Sequence, residues 1–552
     1  MFCFQCEQTA GGSGCTKRGV CGKSPETAKL QDLLVDTSKK LGWFASESRK
    51  AGKVSRDIDR FIMEALFTTV TNVNFDPENI ARMIKTGEEY LAQALAQHRE
   101  LLSDHADKLN EDIPFEVKPL PDDLKSLIET GQNLTPEIRL QAYGHDVAGL
   151  QELIMYGLKG SAAYAHHAYI LGQEDDDIYA FFEQALGFLA EKPADPEQLT
   201  TMALDVGKVN YRVMELLDQA NTGAYGHPRP TKVRTTPVAG KAILVSGHDL
   251  KDLAELLKQT EGTGINIYTH GEMLPCHGYP ELQKYEHLVG NYGGAWQKQK
   301  REFDAFPGPI LMTTNCIQEP RDSYKDRIYT SGLVEWPGVR HIDGYDFSEV
   351  IESAQNSPGF NEDDEPAFTM TGFGHNAVSS VAGDIVKAVK DQQIRHFFLI
   401  GGCDGAKSGR NYFTEMAQAV PEDCLIMTLA CGKYRFNKLD FGQIGDLPRM
   451  LDVGQCNDAY SAIKIAQSLA DAFNCDVNDL PLTLVLSWYE QKAVCILLTL
   501  LYLGIENIRL GPSLPAFVSP DVLAILSDKF GLRGVTTVEE DLDEILSPTA
   551  SA

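Results

Sequence analysis

The sequence lacks net positive charge and lacks any apolar run long enough to cross a bilayer. Its 50 lysines and arginines stand against 78 aspartates and glutamates, which gives a formal net charge of −28. This surplus of negative charge disfavours general binding to nucleic acid or to anionic membranes. The longest apolar run, residues 493–505, is shorter than the roughly 20 residues that a membrane-spanning helix needs. We therefore expect no nucleic-acid partner and no membrane partner.

The sequence also lacks the motifs of secretion and of nucleotide binding. It opens without a basic segment followed by an apolar one, so we expect no signal peptide and a cytoplasmic location. Residues 401–408 resemble the end of a P-loop, but Ala406 separates Gly405 from Lys407 and breaks the pattern. No G-x-G-x-x-G follows a strand in the required way, which argues against a nicotinamide site in this chain.

Cysteine is absent from most of the first half, yet four cysteines crowd into the first 21 residues. Cys3, Cys6, Cys15 and Cys21 have the spacing C-x2-C-x8-C-x5-C. Nearby glycines give this loop the backbone freedom to wrap around a metal centre. Soft thiolates bind copper(I), zinc or iron–sulfur clusters, and structural zinc is often held by four cysteines. The spacing alone leaves an iron–sulfur cluster, a zinc ion or free thiols open.

The pattern of apolar residues predicts a multidomain α and α/β protein. Residues 1–225 comprise the cysteine loop and then helical bundles, because apolar residues recur there at helical spacing. From residue 226 onward short β-rich runs alternate with helices, which is typical of parallel sheets. An acidic segment near residue 362 divides this part into two doubly wound (Rossmann-like) domains, 226–362 and 363–552.

The predicted strands are short apolar runs in both α/β domains. They are expected at 242–245, 265–268, 310–313, 339–342, 367–372, 395–400, 424–429, 449–453, 482–487 and 507–510. Helices are expected between them, including one helix over 376–391.

Candidate metal ligands follow seven of these strands. Ligands of parallel α/β sheets bind beyond the carboxyl ends of the strands, and mixed sulfur, nitrogen and oxygen donors suit a cluster with both sulfide and oxo bridges. The seven residues are His248, Glu272, Cys316, Cys403, Cys431, Cys456 and Glu490. One such residue near a strand end is often a cap or part of the core, but seven together predict a metal site.

Other cysteines and histidines do not share this placement. We expect Cys276, Cys424, Cys475 and Cys495 to be packed or inert thiols. The adjacent pair His166 and His167 lies in a helical stretch, where packing or a surface position is a better interpretation than metal ligation.

Several of these motifs together resemble the hybrid cluster (prismane) proteins, which include hydroxylamine reductases. The resemblance covers essentially the whole chain. It depends on residues 3–7 (CFQCE), 246–252 (SGHDLKD), 268–275 (YTHGEMLP), 401–405 (GGCDG), 455–458 (QCND) and 488–492 (WYEQK). One local departure is Cys276, where the family has a small residue without a thiol, and it puts no candidate ligand in doubt.

The resemblance implies two iron centres. It implies a [4Fe-4S] cluster on Cys3, Cys6, Cys15 and Cys21, since the family's shorter cysteine spacing accompanies this cluster. It also implies a hybrid [4Fe-2O-2S] cluster on the seven strand-end residues, with Cys403 able to carry a persulfide. The fold it implies is a helical domain and two α/β domains that meet at the hybrid cluster.

The resemblance also implies reduction of hydroxylamine to ammonia and water with two electrons and two protons. The expected catalytic residues are Cys403, Glu272, Glu490, His248 and Lys492, of which Lys492 could donate or steer protons. The [4Fe-4S] cluster would relay electrons from an external iron–sulfur or flavin reductase. Three alternatives stay open: reduction of nitric oxide to N2O in nitrosative stress, transfer of a nitroso group by Cys403, and a nickel-dependent carbon monoxide dehydrogenase.

Overall fold

The amino-terminal part of the protein is helical in a computed structural model that describes residues 1–547. Its α-helices are α1 (Pro25–Lys50), α2 (Arg56–Thr68), α3 (Pro77–His105), α4 (Leu124–Gly131), α5 (Pro136–Tyr169), α6 (Asp176–Ala190) and α7 (Pro196–Tyr225). Helix α1 begins where the Ser24 side chain accepts a hydrogen bond from the Thr27 N–H, with Pro25 in the first turn. Its leucines at helical spacing are buried, so packing of an apolar face stabilises the bundle.

The first α/β unit follows the helical part. Its strands are β1 (Thr231–Arg234), β2 (Lys241–Ser246), β3 (Ile265–His270), β4 (Leu288–Asn291), β5 (Ile310–Met312), β6 (Ile328–Ser331) and β7 (Arg340–Ile342). Its helices are α8 (Leu250–Thr260), α9 (Pro280–Gln283), α10 (Gln299–Ala305) and α11 (Ser348–Asn356). Strands β2 and β3 are buried along nearly their whole length, as expected of a sheet covered on both faces.

The second α/β unit has the same construction. Its strands are β8 (Phe368–Thr371), β9 (His396–Gly402), β10 (Cys424–Thr428), β11 (Gln443–Ile444), β12 (Leu447–Pro448), β13 (Met450–Asp452), β14 (Leu482–Ser487), β15 (Ile508–Gly511) and β16 (Arg533–Gly534). Its helices are α12 (His375–Ser380), α13 (Ala382–Lys390), α14 (Asn411–Ala419), α15 (Ala459–Phe473), α16 (Gln491–Tyr502), α17 (Pro520–Phe530) and α18 (Val538–Leu546).

Both units contain a six-stranded parallel sheet with the same strand order. The orders are β4-β3-β2-β5-β6-β7 and β13-β10-β9-β14-β15-β16. Counted along the chain within each sheet, both are 3-2-1-4-5-6, the order of dinucleotide-binding folds. The order reverses between β2 and β5 in one sheet and between β9 and β14 in the other. Ligands of such folds bind at this reversal, so the fold directs attention to the ends of these four strands.

The predicted fold class is confirmed, and two local features differ from expectation. The strand predicted near 367–372 is present as β8, but it pairs antiparallel with β1 outside both large sheets. The single helix predicted over 376–391 is two helices separated at Val381.

The apolar segment of residues 493–505 forms most of α16, which packs against α5 and α7. In the described residues 1–547, no helix combines the length and the apolarity that spanning a membrane requires.

His166 and His167 are both buried in α5. Each packs on the ring of Phe67, with ring centroids 5.4 Å and 5.6 Å apart. Of the two placements expected for this pair, packing is the one observed.

The buried imidazole of His166 makes folding stability depend on pH. Burial lowers the pKa of His166 from 6.5 to about 4. Between these values the unfolded chain binds a proton that the folded chain does not, so the free energy of unfolding falls as the pH drops from 6.5 towards 4. We expect this residue to cost about 2 kcal/mol of stability between pH 7 and pH 5. Urea unfolding of the wild type and of His166→Gln at both pH values measures this change in the free energy of unfolding.

The exposed His145 provides the matched control. His145→Gln should keep the wild-type difference between the two pH values, whereas His166→Gln should show a smaller one. Equal differences in all three proteins would contradict the assignment.

Candidate metal centres

The four amino-terminal cysteines form one cluster at the start of the chain. Cys3 and Cys15 pair through two backbone hydrogen bonds, of 3.1 Å and 2.8 Å. The Ala10 N–H points at the Cys15 sulfur at 3.4 Å. Burial raises the pKa of Cys6 well above its usual value, with the nearby Cys21 and Cys3 thiols adding to the effect. The structure therefore brings the four predicted thiols together.

The loop around these thiols leaves no room for larger side chains. A Cβ atom at Gly19 would lie 2.9 Å from the Cys21 sulfur, and one at Gly14 would lie 2.5 Å from the Phe2 ring. Glycine is therefore favoured at position 19 by the close Cys21 sulfur, and at position 14 by the Phe2 ring. Cys3 and Cys21 keep some exposure, whereas Cys6 and Cys15 are buried.

The spacing of the sulfurs bears on the size of the group that this loop can hold. In a tetrahedral zinc site with Zn–S bonds of about 2.3 Å, the sulfurs would lie about 3.8 Å apart. In the part of the chain that the structure describes, no three of these four sulfurs lie within 4.8 Å of one another. This spacing is compatible with a group larger than a single ion, such as an iron–sulfur cluster.

The seven strand-end residues line one buried cavity between the two sheets. His248 follows β2, Glu272 follows β3 and Cys316 follows β5 in the first unit, whereas Cys403 follows β9, Cys431 follows β10, Cys456 follows β13 and Glu490 follows β14 in the second. Trp296, Asp404, Ala430 and Tyr489 complete the lining. The strands at which each sheet order reverses therefore supply His248, Cys316, Cys403 and Glu490.

His248, Glu272 and Cys456 form the tightest part of this cavity, with candidate ligand atoms within 4.8 Å of one another. The Nδ1 atom of His248 contacts Thr314 Oγ1 at 3.1 Å, which leaves Nε2 4.0 Å from Glu272 Oε2. That same carboxylate oxygen accepts the Cys456 N–H at 2.8 Å. Hydrogen bonds of this kind orient metal ligands in proteins.

Glu490 and Lys492 lie on the other side of the cavity. The Glu490 carboxylate accepts the Lys492 N–H at 2.9 Å and begins α16. The Lys492 side chain is fully buried, and its Nζ donates to Asn315 Oδ1 at 3.0 Å. Asn315 precedes Cys316, so the lysine contacts the loop that holds a candidate ligand.

Burial pushes the seven candidate ligands of the second site towards their uncharged forms. It raises the pKa of Cys316, Cys403 and Cys431 well above the usual value and raises the pKa of Glu272 and Glu490 as well. Burial, with Lys492 and His167 contributing, lowers the pKa of His248 well below 6.5. A bound cluster of metal cations reverses this trend for thiols and carboxyls, because metal binding displaces protons.

One further observation fits a metal at this site. Glu272 Oε1 is buried, and among the described residues it has no hydrogen-bond partner. A buried carboxylate oxygen without a partner is costly, so a metal ligand role accounts for it. The donor set of four thiols, two carboxylates and one imidazole fits a mixed iron–sulfur–oxygen cluster.

The backbone beside the second site adopts a conformation that side chains disfavour. Cys316 has φ +82° and Ala430, just before Cys431, has φ +62°. Residues other than glycine rarely occupy this left-handed region, and such strain collects at functional sites. The left-handed conformation of these two residues therefore costs conformational free energy, and it sets the path of the loops that carry Cys316 and Cys431.

The two sites are joined by adjacent segments, residues 5–7 and 489–491. The Glu7 N–H donates to the Tyr489 carbonyl at 2.9 Å, and the Gln491 side chain donates to the Gln5 carbonyl at 2.6 Å. Cys6 and Glu490 lie at the centres of these two segments. The Tyr489 ring also packs on Trp296, with centroids 4.6 Å apart.

Trp296, Tyr489 and Asn315 could not be identified as site residues from the sequence. None carries a titratable group typical of metal ligation, and Trp296 begins a short helical turn far from the motifs. Asn315 and Tyr489 adjoin candidate ligands in the sequence, and this adjacency is the one signal that could have identified them.

Comparison with known proteins places the chain among iron–sulfur enzymes. A sequence model of the Prismane/CO dehydrogenase family matches residues 1–543. The chain is 56% identical over 552 residues to a protein named hydroxylamine reductase from Syntrophobacter fumaroxidans, which covers 99% of this chain and 100% of the relative. A hydroxylamine reductase from Geobacter metallireducens is 54% identical, with 99% of both chains covered. One from Escherichia coli O6:K15:H31 is 51% identical, with 99% of this chain and 100% of the relative covered.

Solved structures similar to this fold are carbon monoxide dehydrogenases. Carbon monoxide dehydrogenase IV from Carboxydothermus hydrogenoformans aligns with a TM-score of 0.56 and 16% identity, over 96% of this chain and 89% of that one. The enzyme from Thermococcus sp. AM4 aligns with a TM-score of 0.54 and 16% identity, over 98% and 89% of the two chains. At this identity the similarity establishes the fold alone.

Proposed function

Because this chain belongs to the Prismane/CO dehydrogenase family, we propose that it is an iron–sulfur oxidoreductase that reduces hydroxylamine to ammonia and water. The observation that carries this proposal is the convergence of seven sulfur, nitrogen and oxygen ligands on one buried cavity. Full-length relatives at 51–56% identity named hydroxylamine reductase support the substrate. The reaction consumes two electrons and two protons for each N–O bond broken.

We propose that each site holds one cluster. Cys3, Cys6, Cys15 and Cys21 would hold a [4Fe-4S] cluster. The seven residues of the second site would hold a hybrid [4Fe-2O-2S] cluster, with Cys403 able to carry a persulfide. When bound, the clusters would supply electrons and the iron at which the N–O bond of hydroxylamine is broken. The protein must then exclude water from this cavity and deliver two protons to it.

The protein residues suited to proton delivery are Glu490 and Lys492. Both are buried at the cavity, and the lysine Nζ is fixed by Asn315 at 3.0 Å. The aromatic rings of Phe67 and Tyr164 lie 5.8 Å and 5.6 Å from this Nζ, within the range of a cation–π contact. Lys492 therefore places an N–H donor beside the candidate ligands, as a general acid requires.

Substitution of Lys492 tests this role. We expect Lys492→Met to lower kcat for hydroxylamine by roughly 100-fold, the scale of a lost general acid, because methionine fills similar space without a proton to give. Lys387→Met, on the exposed side of α13, should leave kcat unchanged. Steady-state assays with reduced methyl viologen measure the effect, and EPR verifies that both centres are present. Unchanged turnover in a fully loaded Lys492→Met protein would exclude Lys492 as the proton donor.

We propose that small substrates reach the second site through a cavity in the second α/β unit. An apolar cavity of about 170 Å³ includes Cys403 and Cys456 in its lining, together with leucines and isoleucines of α15, α16 and the sheet. Such a cavity admits small uncharged molecules, including both hydroxylamine and nitric oxide. Turnover of the two compounds under the same anaerobic conditions therefore discriminates between them.

We propose that electrons enter at the first site from a cytoplasmic iron–sulfur or flavin reductase. Cys21 lines a surface cleft of about 430 Å³, whose rim includes Lys300 and Lys407. The first site thus reaches the protein surface at Cys21, where an electron donor could dock.

The proposed function is tested by anaerobic metal analysis together with an assay. Purified protein should contain roughly eight irons and fewer sulfides than irons, show two EPR-distinct centres, and form ammonia from hydroxylamine. Stoichiometric nickel, zinc without iron, or the absence of ammonia would refute the proposal.

A further inference from the structure

One buried arginine contacts the loops of both candidate metal sites. The guanidinium of Arg410 is fully buried just before α14. Its Nη2 atom donates to Glu7 Oε2 at 2.8 Å and to the Trp488 carbonyl at 3.0 Å. Its Nη1 atom donates to Ser487 Oγ at 2.6 Å and to Asp404 Oδ1 at 3.3 Å. Three separate loops therefore meet at a single cation.

Two of these loops belong to the second site. The Ser487 hydroxyl donates to the carbonyl of Cys403, and Arg410 Nη1 lies 3.4 Å from the same oxygen. Asp404, which follows Cys403, is also held by Arg435, whose Nε lies 3.0 Å from both carboxylate oxygens. Ser487 ends β14, three residues before Glu490. Arg410 thus fixes the backbone on which Cys403 and Glu490 are carried.

The third loop belongs to the first site, through Glu7, the neighbour of Cys6. The Glu7 carboxylate is fully buried and is neutralised by Arg410, with Lys407 Nζ at 3.2 Å and the Ser513 hydroxyl at 2.9 Å. A buried carboxylate that loses its cation is strongly destabilised. The position of Glu7, and with it that of Cys6, therefore depends on Arg410.

We propose that Arg410 is a positioning residue that couples the two metal sites. It fixes the positions of the Cys403 and Glu490 loops relative to each other and, through Glu7, links them to the loop of the first site. A change in the loop of one metal site therefore alters the geometry of the other metal site. This inference rests on the proposed function for its effect on turnover. Its structural part concerns only residues of this chain.

The test compares Arg410 with a second buried arginine of the same unit. Arg449 donates to the carbonyls of Val420, Pro421, Cys424 and Phe441, and lines neither metal site. The variants are Arg410→Gln, Arg410→Lys, Glu7→Gln and Arg449→Gln. Iron and sulfide content, the EPR spectrum and midpoint potential of each centre, thermal unfolding and kcat are measured for each holoprotein.

We expect Arg410→Gln to change the EPR spectrum and midpoint potential of the second centre and to lower kcat at least tenfold. Arg410→Lys should partly restore the wild-type properties of the second centre and kcat. Lysine keeps the positive charge, but it cannot donate a hydrogen bond to every acceptor that Arg410 contacts. Glu7→Gln should also alter the second centre, although Glu7 lies in the loop of the first. Arg449→Gln should leave both spectra unchanged.

The proposal is overturned if Arg410→Gln keeps the second-centre spectrum, or if Arg449→Gln changes it equally. If Arg410→Gln fails to retain iron, the Glu7→Gln variant tests the coupling instead. An unchanged EPR spectrum of the second centre in Glu7→Gln would refute the coupling. If the wild-type holoprotein does not reduce hydroxylamine, the proposed function fails, while the spectra still test the role of Arg410.

Discussion

Replacing Cys403 with serine should lower the kcat for hydroxylamine by more than about 100-fold while leaving the first centre intact. The reason is the position of Cys403, which follows β9 where the strand order of the second sheet reverses and lines the cavity between the sheets. Loss of even an outer partner of a metal ligand costs about 10–100-fold in activity or affinity, so loss of a ligand should cost more. Anaerobic turnover with reduced methyl viologen and EPR of both centres measure the effect.

Cys424 is the matched control for this substitution. It is a buried cysteine of the same unit, whereas Cys403 is partly buried, and it lies at the amino end of β10, away from the cavity. Cys424→Ser should keep kcat and both EPR signals. If Cys403→Ser retained wild-type turnover, or if Cys424→Ser lost as much, the assignment of the second site would be wrong.

Replacing Cys21 with alanine should remove the first centre and its EPR signal while the second keeps its iron. Cys21 lies at the surface cleft beside the other three thiols, and alanine offers no ligand in place of the thiolate. We expect turnover supported by a protein electron donor to fall more than about 100-fold, again the scale of a disrupted metal site. Stopped-flow reduction of each centre, together with steady-state turnover, measures the change.

Cys475 is the control for Cys21, because it is also partly buried and lies outside both sites. Cys475→Ala should behave as wild type in every measurement. Full turnover with a protein donor in Cys21→Ala would show that electrons reach the second site by another route, and the relay would have to be abandoned.

Burial alone does not decide which strands could be predicted from sequence, because the exposed edge strand β7 was predicted whereas the buried strand β6 was not. β2 and β9 are continuous apolar runs bounded by glycine and polar residues, as expected of parallel strands covered on both faces. β4 escaped prediction because Gly290 and Asn291 interrupt its apolar pattern. β8 has the composition of a strand, but its partner β1 lies far away in sequence, so no local pattern reveals its antiparallel pairing.

The candidate ligands could be predicted because the carboxyl ends of parallel strands share one edge of a sheet. That rule brings together His248, Glu272 and Cys316 within one sheet, and the four other ligands within the second. It does not say that the two edges face each other. The ion pair between Glu7 and Arg410 joins residues 403 positions apart, and only the packed fold shows this pairing.

The left-handed backbone at Cys316 and Ala430 has a consequence for how the second site is held together. Strain of this kind persists only where its surroundings enforce it. The packing around these two loops, together with the metal centre that Cys316 and Cys431 would ligate, must therefore supply the free energy that keeps both residues in this conformation.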